Sequence, residues 1–383
     1  MNEVQSARAD AGAVVELHLC ARPDDGAEGF EDQALSMYAR LAVALREHGA
    51  AARDVVSEKI FLKDVAVDGP RLGVLRREVF GPSGAGVPRP ATSRVQQPPS
   101  HPRRHCELLA LALVKPAGGS FATRMIEGLP FGASGRVVEA DGLRHLFLAG
   151  VTGGAPGDGL DIHGQAAAMF RAAGAGLAQE GLGFGDVVRT WICLPEIDRD
   201  YGALNRARRD FFKARAVDRL PASTGVGGVP FPPDRACGLD LRAIGGPEGP
   251  RVTRLRSDGM NEAPSYGADF ARGTRVDLPG RAILHVSGTA SIDHEGRVVS
   301  PGDIEGQADR ALSNIESLLA GQGAGYADVV SATTYLRTPA FEEPFRRAAE
   351  RRGLPGTVPH VVCVAEICRP EWLCEIEVTA IKR

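Results

Sequence analysis

Three stretches of the chain carry apolar or small residues at the spacing of an amphipathic helix, and each begins just after a glutamine. These glutamines are Gln33, Gln165 and Gln307. The apolar positions fall 1, 4, 5, 8, 11 and 12 residues after each glutamine, so they form one face of a helix with 3.6 residues per turn. A glycine, a common helix stop signal, follows each stretch: Gly49, Gly181 and Gly321. The pattern therefore predicts three equivalent helices.

A second pattern follows each predicted helix at a fixed distance. An Asp-Val-Val triplet begins 21 residues after every glutamine and opens a run rich in β-branched and aromatic residues, which predicts a strand. The three runs are residues 55–62, 187–194 and 329–336. A second helical pattern comes next, at residues 71–80, 201–212 and 341–351, and two more strands close each unit. Three identical spacings indicate an internal repeat.

Each repeat reads as β-β-α-β-α-β-β over about 100 residues, an α+β module with helices on one face of a mixed sheet. In the third copy, the opening hairpin is predicted to run from Ile283–Ser287 into Arg297–Ser300. The predicted modules span residues 14–116, 136–246 and 275–383. The stretches between them, 117–135 and 247–274, are rich in Gly, Pro and charge and are interpreted as linkers.

Composition narrows the functional classes. Lys and Arg (45) nearly balance Asp and Glu (48), so the sequence has no basic footprint for nucleic acid. No run of 18 apolar residues predicts a membrane span, and the polar N-terminus lacks the pattern of a signal peptide. We therefore expect a cytoplasmic protein with seven reduced cysteines, whose spacing does not match a zinc site.

The repeated unit resembles the Rid (YjgF/RidA) family. The shared features are the helix opening at Gln, the strand opening at Asp-Val-Val and the terminal Glu-Ile-Glu strand, here residues 375–377. The resemblance implies a chorismate-mutase-like module fold and homotrimers whose helices lie outside a central barrel, with ligand clefts between subunits. Three modules in one chain would form an intramolecular pseudo-trimer, either monomeric or assembled into a higher homo-oligomer.

The last two modules resemble chorismatases more closely. The motifs that carry this resemblance are Arg189–Trp191, Leu220–Gly227, Phe270–Arg272, Ser287–Ile292 and Ile367–Glu377. The resemblance implies an enzyme that hydrolyses chorismate and releases pyruvate, with no metal or organic cofactor, and it suggests a role in secondary metabolism. The expected partner is accordingly a small carboxylated substrate.

Cleavage of an enol ether needs a proton for the vinyl carbon or the ether oxygen, followed by water, and a buried carboxylic acid can supply that proton. By resemblance, Glu375 is the general acid. Strand alternation does not settle which face Glu375 occupies, and the alternative is a structural ion pair with an arginine at a module interface.

A dianionic substrate needs arginine or several N–H donors for its carboxylates. By resemblance Arg272 fills that role, with Arg337 as a second candidate and Tyr266 as a further donor. The remaining substrate-binding candidates are small or hydroxyl-bearing residues at strand ends: Thr224, Gly225, Gly227, Ser287 and Thr289. Each also has a structural interpretation, as surface arginine, packed tyrosine or strand with a bulge.

Two alternatives to the chorismatase-like hydrolase or lyase stay open. One is a divergent imine or enamine deaminase of the RidA type, although Rid deaminases carry an Arg after Pro-Ala where this chain has Thr92, Ser223 and Pro359. The other is a non-catalytic protein that binds a small ligand. The third module alone ends in Glu-Ile-Glu, which favours an enzyme.

Overall fold

A computed structural model describes residues 4–11, 14–81, 88–115, 121–154 and 157–383 of the chain. Residue 116, which ends the first predicted module, and residues 117–120 of the first predicted linker lie outside this described part. The described residues form three six-stranded sheets, and each sheet carries long helices on one face.

The first sheet has a hairpin that begins ten residues earlier than the predicted module boundary. In chain order the elements are β1 (Val4–Ala11), β2 (Val14–Ala21), α1 (Gly29–Glu47), β3 (Val55–Leu62), α2 (Val65–Asp68), α3 (Leu72–Phe80), β4 (Ala91–Gln96) and β5 (Cys106–Val114). The β3 and β4 strands run parallel, whereas β5 lies antiparallel between β2 and β3. The order of elements is the one that the repeat predicts.

The second and third sheets repeat this plan with one extra strand each. The second unit contains β6 (Ala122–Ile126), β7 (Ser134–Ala140), β8 (Leu143–Thr152), α4 (Ile162–Ala178), β9 (Val187–Leu194), α5 (Ile197–Ala214), β10 (Ala222–Gly227), β11 (Val229–Pro230) and β12 (Gly238–Gly245). The third contains β13 (Arg251–Arg254), β14 (Gly273–Leu278), β15 (Arg281–Ala290), α6 (Ile304–Ala320), β16 (Val329–Leu336), α7 (Glu342–Arg351), β17 (His360–Val364) and β18 (Cys374–Lys382).

Two sequence interpretations need correction here. The stretches 117–135 and 247–274 are more than linkers, because β6 and β13 lie in them and pair with β7 and β14 as edge strands. The predicted hairpin of the third copy is wrong, since β15 pairs with the preceding β14 through a turn at Gly280 (φ 75°). Residues 297–300 contribute only an isolated bridge between Ile292 and Val298. The polar turn at 293–296, which ends in Gly296, suggested a hairpin that the sheet does not form.

The repeated glutamine has a structural role. Gln33 accepts a hydrogen bond from the His105 amide at 2.8 Å and donates one to the Arg103 carbonyl at 2.8 Å, which ties the start of α1 to the chain entering β5. Gln307 makes the same two bonds, with the Leu373 amide and the Glu371 carbonyl, both at 2.9 Å. A buried amide side chain satisfied on both ends fixes the helix against the last strand.

The repeated aspartate caps a short 3-10 turn before each central strand. Asp54, Asp186 and Asp328 accept a hydrogen bond from the backbone amide three residues earlier, at 2.8–2.9 Å. This reciprocal bonding sets the direction in which the chain enters β3, β9 and β16. The repeated glutamine and aspartate therefore have local structural roles, and the apolar stripes between them form the cores.

The three units form a closed ring. After each penultimate strand, the chain crosses to the penultimate strand of a neighbouring unit. Pro99 bridges Cys363, β11 pairs with β4, and Ile367 bridges Val226. The first unit thus reaches the third, the second reaches the first, and the third reaches the second. This cyclic exchange matches the pseudo-trimer that the sequence predicted.

Packing follows the same plan. Three large apolar clusters lie between the helices and the sheet of each unit, and smaller clusters join neighbouring sheets on the inner side. The stripe residues predicted after each glutamine, including Leu41, Phe170 and Leu312, are almost fully buried. Across the described ranges, no helix is long and apolar enough to cross a membrane.

Candidate active site

The edge of β10 faces β15 at the boundary between the second and third units. The Ser223 amide donates to the Ser287 hydroxyl at 2.9 Å, and the Gly288 amide donates to the Thr224 hydroxyl at 2.9 Å. A small cleft opens beside these contacts. Its walls are Tyr201, Ser223, Gly225, Tyr266, Phe270, Arg272, Gly288, Ala290, Ile292, Cys368, Trp372 and Glu375.

Glu375 is the one carboxylic acid in the wall of this cleft. It is the second residue of β18 and pairs with Ala290 of β15 and with Tyr335 of β16. The sheet register therefore fixes its position relative to both neighbouring strands. Its side chain is 5% exposed, and within the described chain it makes neither a hydrogen bond nor an ion pair. Burial, helped by the nearby Glu377 and opposed by Arg272 and Arg189, raises the pKa of the Glu375 carboxyl from its ordinary 4.5 to about 8. The acid is therefore protonated at neutral pH.

The arginines near Glu375 are engaged elsewhere, which explains why the acid has no ionic partner. Arg272 donates from Nε to the Asn261 carbonyl at 2.8 Å and from Nη2 to the Asn261 side chain at 3.0 Å. Arg189 donates from Nη2 to Glu377 and to the Thr224 hydroxyl, both at 2.6 Å. Trp191 adds a third bond, from Nε1 to Glu377 at 2.8 Å. The network therefore neutralises Glu377 and leaves Glu375 without an ion-pair partner among the described residues.

Gly288 makes room for the acid. A Cβ atom on Gly288 would lie 1.8 Å from Oε1 of Glu375, far inside van der Waals contact. The backbone of Gly288 does not have a positive φ, so the requirement is for space and not for conformation. The chain approaches Glu375 this closely because β10 packs against the same segment.

Cations and aromatic rings surround the cleft. Arg272 lies 5.4 Å from the ring centre of Tyr266, and Arg369 lies 5.4 Å from the same ring on another side. Arg208 lies 5.6 Å from the ring of Phe270 and 3.5 Å from the Ser223 hydroxyl. With Glu375 protonated, three arginines make the cleft electropositive, which suits a carboxylated ligand.

Five of the residues predicted from the sequence lie outside the cleft wall: Thr224, which lies directly behind it, and four that bind neighbouring segments. Arg337 donates to the carbonyls of Trp372, Ile367 and Arg369 and pairs with Glu366, so it holds the 366–373 segment in place. The hydroxyl of Ser287 donates to the Ala271 carbonyl at 2.6 Å, and that of Thr289 donates to the Ser287 carbonyl at 2.8 Å. Gly227 donates to the Glu366 carbonyl at 2.7 Å. These four shape the surroundings of the cleft.

The structure brings Glu375, Arg272, Tyr266 and Gly225 together in the wall, with Thr224 directly behind it. Sequence reasoning did not assign Tyr201, Phe270, Cys368, Trp372 or Arg208 to the site. Tyr201 and Arg208 come from α5, seven residues or about two turns apart, so they share a helix face. Both approach β10: Arg208 Nη1 lies 3.5 Å from the Ser223 hydroxyl, and a Cβ on Gly225 would lie 3.2 Å from the Tyr201 ring. The spacing along α5 was the available signal. Cys368 and Trp372 lie within a chorismatase-like motif, but nothing in the spacing set them apart.

The first unit carries an acid at the position of Glu375. Glu107 follows Cys106 in β5 as Glu375 follows Cys374 in β18, whereas Gly238 occupies this position in the second unit. Glu107, however, is held by Arg104, with Nη1 to Oε1 at 2.6 Å, and by Arg22, with Nε to Oε2 at 3.5 Å. The first and third units thus both carry an acid at this position, and the acid of the third unit differs in being unpaired.

The position that carries arginine in Rid deaminases also needs correction in the third unit. Strand register pairs Thr92 with Glu58, Ser223 with Thr190 and His360 with Ala332. Because Glu58, Thr190 and Ala332 are equivalent residues of the central strands, the match in the third unit is His360 and not Pro359. All three units still lack the arginine.

The cleft is nearly closed. Its volume is about 20 Å³, close to what one water molecule needs. The short 3-10 turn Ala263–Tyr266 covers it and exposes Pro264 and Ser265 to solvent. A metabolite larger than water therefore requires the cleft to widen. Among the described residues, no group of three or more His, Cys, Asp or Glu side chains could hold a metal ion.

Comparison with known proteins agrees with the fold. Residues 262–382 match the family model described as Endoribonuclease L-PSP. A crystal structure of a chorismatase matches 97% of this chain and 99% of its own, with a TM-score of 0.63 and 18% sequence identity. The chain has the fold of a chorismatase. The resemblance to Rid proteins and chorismatases that the repeated motifs indicated is confirmed at this level.

Two further relatives match smaller parts of the chain. The 3-hydroxybenzoate synthase of Streptomyces hygroscopicus is 28% identical over 232 residues, which is 52% of this chain and 64% of the relative. The chain therefore spans less than two thirds of that relative's length. The crystal structure of RidA from an Antarctic Psychrobacter species matches 33% of this chain, with 16% identity and a TM-score of 0.28.

Proposed function

We propose that the chain is a cofactor-independent enzyme that cleaves the enol ether of a small dicarboxylate of the chorismate type, with Glu375 as the proton donor. The cleft between β10 and β15 is the proposed site. Arg272, Tyr266 and Gly225 contact the substrate, and Thr224 supports the wall. The similarity to a chorismatase and to a 3-hydroxybenzoate synthase supports the substrate class.

The observation that carries the proposal is the state of Glu375. A carboxyl with a pKa raised to about 8 by burial keeps its proton at neutral pH, where an ordinary glutamate has lost it. Placing such a group among arginines lets one site bind carboxylates and still deliver a proton. The equivalent acid of the first unit, Glu107, is instead held in ion pairs with Arg104 and Arg22.

The proposed reaction proceeds in balanced steps. Glu375 transfers its proton to the vinyl carbon, and positive charge develops on the neighbouring carbon that carries the ether oxygen. Water bonds to that carbon and returns one proton to the Glu375 carboxylate. The hemiketal then collapses to pyruvate and an alcohol, so the net change is the addition of one water. Arg272 holds a substrate carboxylate in position throughout.

The direct experiment is incubation of the purified chain with chorismate while pyruvate release is followed. We expect pyruvate in a 1:1 ratio to chorismate consumed, with no added metal and with chelator present. Absence of both turnover and chorismate binding would reject the proposal. Ammonia release from an amino-acid-derived imine, without pyruvate from chorismate, would instead support a RidA-like hydrolase.

The pH dependence follows from the acid's protonation. As pH rises above about 8, Glu375 loses its proton, and kcat should fall by about tenfold per pH unit. The measurement is kcat from about pH 6 to about pH 10 in buffers of constant ionic strength. A rate that rises with pH through this range would contradict the assignment, because it would indicate a general base.

Gly288→Ala tests the close packing around the acid. The added methyl would meet Glu375 Oε1, so the carboxyl must move, and a displacement on the order of 1 Å lowers kcat by about 100-fold. Gly325→Ala is the matched control, since a Cβ there has no heavy atom within 4 Å and the φ is not positive. Equal kcat for the two variants and the parent would show that the position of Glu375 does not matter.

A further inference from the structure

A second and larger cavity lies on the axis of the ring, where the inner faces of all three sheets meet. Its volume is about 120 Å³, and its walls come from β3, β5, β8, β9, β12, β16 and β18 among others. It is distinct from the Glu375 cleft, and the two share no wall residue. Cavities on the order of 150 Å³ hold one benzene ring in other proteins.

The repeat explains why this cavity is asymmetric. Equivalent positions of the central and last strands face the axis in every unit, so a ring of identical units would have identical walls. Here the first unit contributes Leu109 and Leu111, the second Arg189 and Arg242, and the third Thr333 and Thr379. The first unit therefore contributes two leucines beside Lys59, the second two arginines beside Asp240, and the third two threonines beside Glu377.

The two arginines of the second unit have donors with no partner in the described chain. Arg189 uses Nη2 for Glu377 and Thr224, whereas its Nη1 is buried without a hydrogen bond. Arg242 binds Glu16 through Nη1 and Nη2, and its Nε is likewise buried and unpartnered. Leaving a buried donor unsatisfied costs free energy, so these donors indicate a site for an acceptor.

The acids on the axis already have partners. Glu377 accepts from Arg189 and Trp191, and Asp240 accepts from the Gly150 amide at 2.8 Å. Lys59 adds a third cation to the cavity wall, with Nζ 5.5 Å from the Phe61 ring. Both wall carboxylates therefore have hydrogen-bond donors already, whereas Arg189 Nη1 and Arg242 Nε have no acceptor in the described chain.

We propose that the axial cavity binds a small monocarboxylate with a ring-sized apolar body. The carboxylate lies against Arg189, Arg242 and Lys59, and the body packs against Leu109 and Leu111. This inference does not depend on the proposed reaction, because it uses residues of the axis and not of the Glu375 cleft. Covalent fusion of the three units is what allows the arginines of one unit and the leucines of another to line the same cavity.

Benzoate is the probe, with benzyl alcohol as its neutral counterpart. In calorimetric titrations we expect benzoate to bind the full chain at least tenfold more tightly than benzyl alcohol. Lys59→Met should weaken benzoate binding at least tenfold, while Lys213→Met, on the exposed side of α5, should leave it unchanged. Equal weakening in both variants would overturn the proposal.

A crystal of the unaltered chain with 4-bromobenzoate gives a test that needs no variant. The anomalous signal of bromine is expected in the axial cavity, with the carboxylate beside Arg189 and Arg242. Bromine in the Glu375 cleft alone, or no bound bromine at all, would overturn the proposal. Turnover of chorismate plays no part in either test, so the two proposals fail separately.

Discussion

Replacing Glu375 with glutamine is expected to lower kcat by about 10² to 10⁴-fold and to leave the fold intact. The amide keeps the shape of the protonated acid but cannot transfer its proton to an enol ether. No ion pair is lost, because within the described residues Glu375 has none. The measurement is single-turnover pyruvate release by the variant at saturating chorismate, with circular dichroism as the check on folding.

The same variant makes a prediction about stability that does not involve turnover. The Glu375 pKa is raised from 4.5 to about 8, so between these values the folded chain keeps a proton that the unfolded chain has released. The free energy of unfolding of the parent therefore falls as pH rises from about 4.5 to about 8. Glu375→Gln has no titrating carboxyl at this position and therefore does not lose stability in this way. In urea titrations, its free energy of unfolding minus that of the parent should rise from about pH 4.5 to about pH 8.

Glu107→Gln is the matched control, because Glu107 occupies the equivalent strand position in the first unit. It should leave kcat unchanged but destabilise the fold by about 3 kcal/mol, since Arg104 and Arg22 lose their buried partner. Glu375→Gln is thus expected to lower kcat with the fold intact, whereas Glu107→Gln is expected to lower stability with kcat unchanged. If Glu107→Gln abolished turnover and Glu375→Gln did not, the active cleft would lie between the first and third units.

The repeat and the module fold could be predicted from the sequence because their determinants are local. Gln33 and Gln307 bond to chain segments that each module supplies itself, and Asp54 caps a turn only three residues away. Such signals recur at fixed spacing, so the spacing reveals them. The edge strands β6 and β13 were not predicted, because they lie in Gly- and Pro-rich stretches and pair on one side only.

The site could be predicted only in part, because its geometry depends on contacts between units. Sequence reasoning identified Glu375 and Arg272 through their motifs, yet it could not determine whether Glu375 was paired. That depends on Asn261 engaging Arg272 and on Glu377 engaging Arg189, contacts set by tertiary packing. Arg337 was the second arginine candidate in the sequence after Arg272, but the fold uses it to hold the 366–373 segment.

Arg272→Met is expected to reduce kcat/KM by about 10- to 100-fold, mainly through KM. Nε and Nη2 of Arg272 bind Asn261, while Nη1 makes no hydrogen bond to the described chain. Nη1 is therefore the group that we assign to a substrate carboxylate. A hydrogen bond to a charged group contributes about 1.5–3 kcal/mol, which corresponds to the expected loss. The measurement is the initial rate of pyruvate release over a range of chorismate concentrations.

The pH profile separates this electrostatic role from a merely structural one. The positive charge of Arg272 opposes the rise of the Glu375 pKa, so its removal should raise that pKa further. The alkaline limb of the kcat profile should then move to higher pH in Arg272→Met. Arg272→Lys keeps the charge but loses the paired bonds to Asn261, so its limb should stay close to that of the parent even if KM increases. An unshifted limb in Arg272→Met, or equal shifts in both variants, would mean that Arg272 acts on Asn261 and the covering turn and not on the acid.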